Sequence, residues 1–209
     1  MKSTLFIKIC GITRADDALA ASALGVSAIG LNLWPKSKRH VSLEAAEAIA
    51  RAVPKGVLKV GVFVNATEAD IRRAESACGL DLVQFHGDES PAFCAPWGNR
   101  VIRAFRLRSD ADLVALNDYR FARMALVDAA VEGTYGGTGS TADWSLARKA
   151  SASGIPILLA GGLTPENVAD ALRAAQPAGI DVAGGVESAP GIKDRAKLRA
   201  FVAAATAAR

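Results

Sequence analysis

Two positions in this 209-residue chain hold side chains that can move protons where a strand ordinarily places Val or Leu. The stretch "FIKICG", residues 6 to 11, carries Lys8 inside an apolar run that closes on Cys10 just before Gly11, and "ARMALVD" ends in Asp128. A free cysteine is most often a small buried hydrophobe, and an aspartate closing a strand is commonly a turn residue. Lys8 changes the first reading. Side chains two apart on a strand share a face, and a nearby cation favours the thiolate, a usable base or nucleophile. A buried lysine in turn needs a carboxylate partner, which Asp128 or Asp181 could supply. An aspartate at the end of an apolar strand is costly unless it is paired or at work.

Such groups act only if the fold brings them together. Short β-type runs recur at Leu5–Cys10, Ala28–Leu33, Leu58–Val64, Leu82–His86, Val101–Arg106, Arg123–Asp128, Ile157–Ala160 and Gly179–Ala183. Helix-type segments lie between them, with starts predicted at Thr13 (Asp16 three residues on), Thr67 (with Asp70), Ser90 before Pro91 and Thr164 before Pro165. Ala15–Leu24, Leu43–Arg51 and Ala196–Ala208 have the composition and periodicity of amphipathic helices. Eight β-then-α units without an internal linker predict one domain over residues 1–209, a closed (β/α)8 TIM barrel rather than an open doubly wound sheet.

In that architecture the chemistry sits at the C-terminal strand ends and the loops beyond them. Those ends hold Cys10, Asn32, Asn65, Gln84 and His86, Arg103 and Arg106, and Asp128, where a core would be apolar. Gln84, His86 and Asp181 are read as further substrate-facing side chains. Gly161-Gly162 and Gly184-Gly185 follow strands seven and eight. Glycines bring bare N–H groups close to a ligand, so the two pairs together predict a phosphate cradle and a phosphorylated small-molecule substrate. "WPKSKRHVS", residues 34 to 42, sets Arg39 over the mouth, where a guanidinium can grip a carboxylate with two parallel hydrogen bonds. Residues 132 to 144, "EGTYGGTGSTADW", make a long glycine-rich loop suited to closing over a substrate. Its GxGxxA match (137 to 142) does not follow a strand directly and lacks the acidic residue about twenty positions on that a dinucleotide site needs.

Composition narrows the function classes. Half of the residues are hydrophobic (51%) and 22% are charged, enough for a full core and unlike a disordered chain. No apolar run reaches membrane-spanning length and the N-terminus does not read as a signal peptide, so a cytoplasmic protein without a membrane partner is expected. The net charge of +4 is dispersed in mixed-sign pairs, which argues against nucleic acid. Three cysteines without a CxxC, and only two histidines, His40 and His86, suggest neither disulfides nor a metal site. A monomer or a homodimer is expected.

The pieces "KICGIT", "KSKRHVS", "VGVFVN", "VQFHGDES", "LVDA", "GGTGSTADW", "PILLAGGLTPENV" and "GIDVAGGVESAPGIKD" fall in order over essentially the whole chain. Together they resemble the phosphoribosylanthranilate isomerase family, (β/α)8 enzymes of tryptophan biosynthesis. The resemblance implies an Amadori rearrangement of N-(5'-phosphoribosyl)anthranilate, with Cys10 as general base, Asp128 as general acid, Arg39 on the anthranilate carboxylate, the glycine pairs on the phosphate, and no metal or organic cofactor. Two departures stand out: Ser-Lys-Arg-His replaces Ser-Pro-Arg-Tyr in the strand-two loop, and Gly184 stands where a serine is usual. The alternatives are a sister aminoaldose-phosphate isomerase, expected to have an aspartate in place of Cys10 and a second phosphate motif, a Cys10–His86 thiol hydrolase, and a non-catalytic phosphosugar-binding barrel.

Overall fold

The computed structural model describes residues 5–128 and 144–208. Eight parallel strands close into a barrel in sequence order: β1 (Phe6–Ile9), β2 (Ala28–Asn32), β3 (Leu58–Phe63), β4 (Leu82–Phe85), β5 (Val101–Phe105), β6 (Met124–Asp128), β7 (Ile157–Ala160) and β8 (Gly179–Val182). Every strand expected from the sequence is present, most of them trimmed by a residue or so at one end or both. Parallel barrel strands are covered on both faces and therefore read as continuous apolar runs. Their outward side chains join the helix layer in one large core, while Ala28, Val60, Leu82, Ile102, Met124, Leu126, Leu158 and Ala160 form a second, inner core. The seam is β1 against β8, where Lys8 lies opposite Asp181. Beyond β8 the chain forms a small antiparallel hairpin, β9 (Glu187–Ala189) with β10 (Ile192–Lys193).

The outer layer follows the caps where their geometry is local. Ser42 starts α2 (Leu43–Ala52), Thr67 starts α3 (Glu68–Cys78), and Ser90 with Pro91 starts the short α4 (Pro91–Cys94), each side-chain oxygen accepting from a backbone N–H three residues on. Two predicted caps fail. Helix α1 (Ala15–Ser22) is entered from Arg14 without a side-chain cap, because the Thr13 hydroxyl donates instead to the Gly191 carbonyl. Helix α6 (Val168–Ala175) begins three residues past Pro165, since Asn167 first folds the Thr164–Asn167 turn by accepting from the Thr164 N–H. The layer is also thinner than a helix after nearly every strand. Between β4 and β5, α4 gives way to a 3-10 segment broken at Gly98, and Asp110–Tyr119 between β5 and β6 is 3-10 throughout. Pro96 and Gly98 oppose continuation in the first, and the aspartate-rich "DADLVALNDY" has weak helix propensity in the second. Helices α5 (Ser145–Ala150) and α7 (Arg195–Ala207) complete the layer. The predicted closing loop lies outside the described residues apart from Trp144.

Candidate active site

Strand alternation aims Lys8 and Cys10 of the first βα unit toward the barrel axis. Lys8 is fully buried, and its Nζ donates to Asp181 Oδ1 at 2.9 Å. Burial alone would lower the lysine pKa, but Asp181 and then Cys10 outweigh it and hold the ammonium above its ordinary value. Of the two carboxylates expected from the sequence, Asp181 is therefore the lysine's partner. Cys10 is half-buried at the C-terminal end of β1, with its N–H fixed on the Val182 carbonyl at 2.8 Å. Room for its thiol comes from Gly30 on β2: a Cβ there would stand 2.8 Å from Cys10 Sγ and 3.2 Å from Lys8 Cε.

Across the mouth, Gln84 Nε2 and His86 Nδ1 are 3.0 Å apart, as two inward residues of one strand should be. Gln84 is buried, and its Oε1 has no partner among the described residues. Burial, followed by the charge of Lys8, lowers the His86 pKa, against the opposing pull of Asp181 and Asp128. His86 is therefore within electrostatic reach of both aspartates. Asp128, half-buried, ends β6 opposite Ala160 of β7.

Arg39 reaches the mouth from the β2–α2 loop. The loop needs no proline, because Ser37 Oγ accepts from the Arg39 N–H, the Ser37 carbonyl accepts from the His40 N–H, and His40 bridges back to Asn32. The aliphatic stem of Arg39 packs over Gly11, where a Cβ would meet Arg39 Cδ at 2.4 Å, and Gly11 has a φ of +71° that favours glycine; the guanidinium lies beyond it. The guanidinium is gripped by Glu187, with Nε to Oε1 at 2.8 Å and Nη2 to Oε2 at 2.6 Å. Gly184 lies beside it: a Cβ there would sit 3.1 Å from Arg39 Nη2, close enough that a serine would push the guanidinium aside by a few tenths of an ångström.

The two glycine pairs adjoin. A Cβ on Gly185 would lie 1.8 Å from the Leu163 carbonyl oxygen, so the β8 loop rests directly on the β7 loop. Gly161 and Gly162 both have positive φ, and the space beside Gly162 is open. Bare backbone on adjoining strand ends is what an anion cradle requires.

Several polar strand-end residues serve the scaffold instead. Arg103 points away from the axis, donating to the Phe85, Ala104 and Gly87 carbonyls. Asn65, with a φ of +51°, ties its loop to Asp88 in both directions. Cys78 and Cys94 are buried in the outer layer, where burial raises both thiols, Cys94 to about 11. Among the described residues no group of three or more His, Cys, Asp or Glu is placed to hold a metal ion, and no helix is long and apolar enough to cross a membrane. Sequence reasoning missed Glu187. Its signal was a lone carboxylate after a glycine pair at the same barrel end as Arg39.

Residues 7–204 match the family model described as N-(5'phosphoribosyl)anthranilate (PRA) isomerase. A curated relative of that name from Myxococcus xanthus is 50% identical over 202 residues, covering 95% of each chain. The crystal structure of phosphoribosyl anthranilate isomerase from Thermotoga maritima superimposes with a TM-score of 0.90 at 37% identity, covering 98% of this chain and 100% of that one. A crystal structure of a phosphoribosyl anthranilate isomerase in complex with reduced 1-(o-carboxyphenylamino)-1-deoxyribulose 5-phosphate gives a TM-score of 0.86 at 35% identity over 98% of this chain and 100% of that one.

Proposed function

The chain belongs to the N-(5'-phosphoribosyl)anthranilate isomerase family, and from that membership we propose that Cys10 is the general base and Asp128 the general acid of its reaction. The enzyme converts N-(5'-phosphoribosyl)anthranilate to 1-(2-carboxyphenylamino)-1-deoxyribulose 5-phosphate in tryptophan biosynthesis. Asp128 protonates the furanose oxygen as the ring C–O bond breaks, and the nitrogen lone pair forms the C1=N bond. The cationic imine acidifies the C2 proton, which the Cys10 thiolate removes, leaving an enolamine. Proton return to C1 and loss of the C2 hydroxyl proton give the ketone, so atoms and charge balance without a metal or organic cofactor.

The placement of Cys10 supports this reading: a half-buried thiol at a strand's C-terminal end, with a buried ammonium beneath it. Lys8 supplies positive charge next to the position where a thiolate develops, and Asp181 holds it there. Gln84 and His86 face the substrate from β4, Arg39 takes the anthranilate carboxylate, and Gly161, Gly162, Gly184 and Gly185 take the phosphate. A cytoplasmic monomer or homodimer belongs to the same proposal. The test is loss of substrate fluorescence on freshly prepared phosphoribosylanthranilate. Cys10→Ser and Asp128→Asn should each lower kcat by roughly 10²- to 10⁴-fold, the range for a positioned acid or base. Turnover within a few-fold of wild type in either variant would remove that residue from the mechanism.

A further inference from the structure

Behind Arg39 lies a buried polar node that the acid–base scheme does not use. Glu187 is 7% exposed and Lys193 is 3% exposed. Besides gripping Arg39 with both oxygens, Glu187 accepts from Lys193 Nζ at 2.8 Å. The same ammonium donates to the Cys10 carbonyl at 2.6 Å and to the Ala183 carbonyl at 3.1 Å. The Lys193 N–H donates to the buried Asp17, and Lys197 Nζ holds the Glu187 carbonyl. One carboxylate thus lies between two cations, and one of those cations is bonded to the backbone of the proposed base.

We propose that Glu187 is the positioning residue for Arg39, and that with Lys193 it fixes the carboxylate clamp and the Cys10 backbone in one frame. The proposal rests on the reading that Arg39 takes the substrate carboxylate. A guanidinium has five N–H donors in a rigid fork. Glu187 occupies Nε and one Nη2 hydrogen, which stops rotation about the terminal side-chain bonds and leaves Nη1 for a second acceptor. Two cations and one carboxylate leave the node with one net positive charge, matched to one incoming carboxylate. Lys193 transmits the same alignment to Cys10, so the distance from the carboxylate anchor to the base is set within the protein before substrate arrives.

Charge and positioning predict opposite signs for Glu187→Gln. If Glu187 merely diluted the positive charge, its removal would strengthen attraction for an anionic substrate and lower KM. If it positions Arg39, the amide can accept with one atom only and turns its NH2 toward another donor, so KM rises. The expected rise is about tenfold, equivalent to about 1.4 kcal/mol, with Glu187→Asp recovering part of it.

The experiment measures KM and kcat for wild type, Glu187→Gln, Glu187→Asp, Arg39→Ala and the Arg39→Ala/Glu187→Gln double variant, on the carboxylated substrate and on the phosphoribosylaniline analogue that lacks the carboxylate. Thermal midpoints are taken alongside. The proposal expects Glu187→Gln to raise KM for the carboxylated substrate alone, and to add nothing once Arg39 is gone. An unchanged or lowered KM in Glu187→Gln, an equal effect on both substrates, or full additivity with Arg39→Ala would overturn it. If Arg39→Ala itself left KM unchanged, the carboxylate reading of Arg39 would fail first, and the positioning inference with it.

Discussion

Replacing Lys8 with methionine keeps most of the side-chain volume and removes only the charge. The ammonium is fully buried and lies 2.9 Å from an Asp181 carboxylate that is itself 8% exposed, so the variant strands a carboxylate without a counter-ion. Breaking a buried pair from one side costs about 3–5 kcal/mol. At roughly 2–4 °C per kcal/mol for a chain of this size, the melting midpoint should fall by about 6–20 °C. Adding Asp181→Val removes the stranded charge, and because a buried pair and an apolar replacement are often nearly equal in stability, the double variant should recover most of the loss. The pH dependence follows from the raised Lys8 pKa. The folded state binds that proton more tightly than the unfolded chain does. The contribution is therefore complete below the ordinary value of 10.5 and is lost only as pH rises through the higher folded value. Urea unfolding followed by circular dichroism should give a constant wild-type-minus-variant difference from about pH 6 to about pH 9. A loss below about 1 kcal/mol in Lys8→Met, or a double variant as unstable as the sum of the singles, would refute the buried-pair argument.

His86 is held below its ordinary value by burial and Lys8, so the unfolded chain protonates first. Stability should then fall as pH drops below about 6.5, by at most about 1.4 kcal/mol per pH unit, and His86→Gln should flatten that window in urea titrations. Gly185→Ala places a Cβ 1.8 Å from the Leu163 carbonyl oxygen and should cost about 1–3 kcal/mol while raising KM, with a neutral result showing that the two loops do not bear on each other.

The strands were legible because their composition is one-sided: largely apolar, with most of their polar side chains turned inward and only Lys59 and Arg103 turned to the outer face. Lys8, Gln84, His86, Asp128 and Asp181 all obey that rule. Caps were legible where the partner is three residues away, as at Thr67 and Ser90; the Ser42 cap has the same spacing and was missed. They failed at Thr13, whose hydroxyl is taken by a carbonyl 178 positions along the chain. The Arg39–Glu187 pair spans 148 positions and Lys193 reaches Cys10 across 183. No local pattern marks such partners, and a carboxylate after two glycines reads as a turn.

Those long separations have a common origin. Lys8–Asp181, Arg39–Glu187 and Lys193–Cys10 each join residues from the first two βα units to residues at or beyond β8, across or beside the seam that closes the barrel. The groups that orient the proposed base and the carboxylate clamp therefore also hold the first and last strands together. On this side of the mouth, stability and alignment draw on the same bonds, and a substitution that loosens one should loosen the other. Asp128 stands apart from that seam at the end of β6, whose ladders run to β5 and β7. Asp128→Asn should accordingly lower activity with a much smaller loss of stability than Lys8→Met. If the two variants lost equal stability, the seam would not be the element that couples assembly of the site to closure of the barrel.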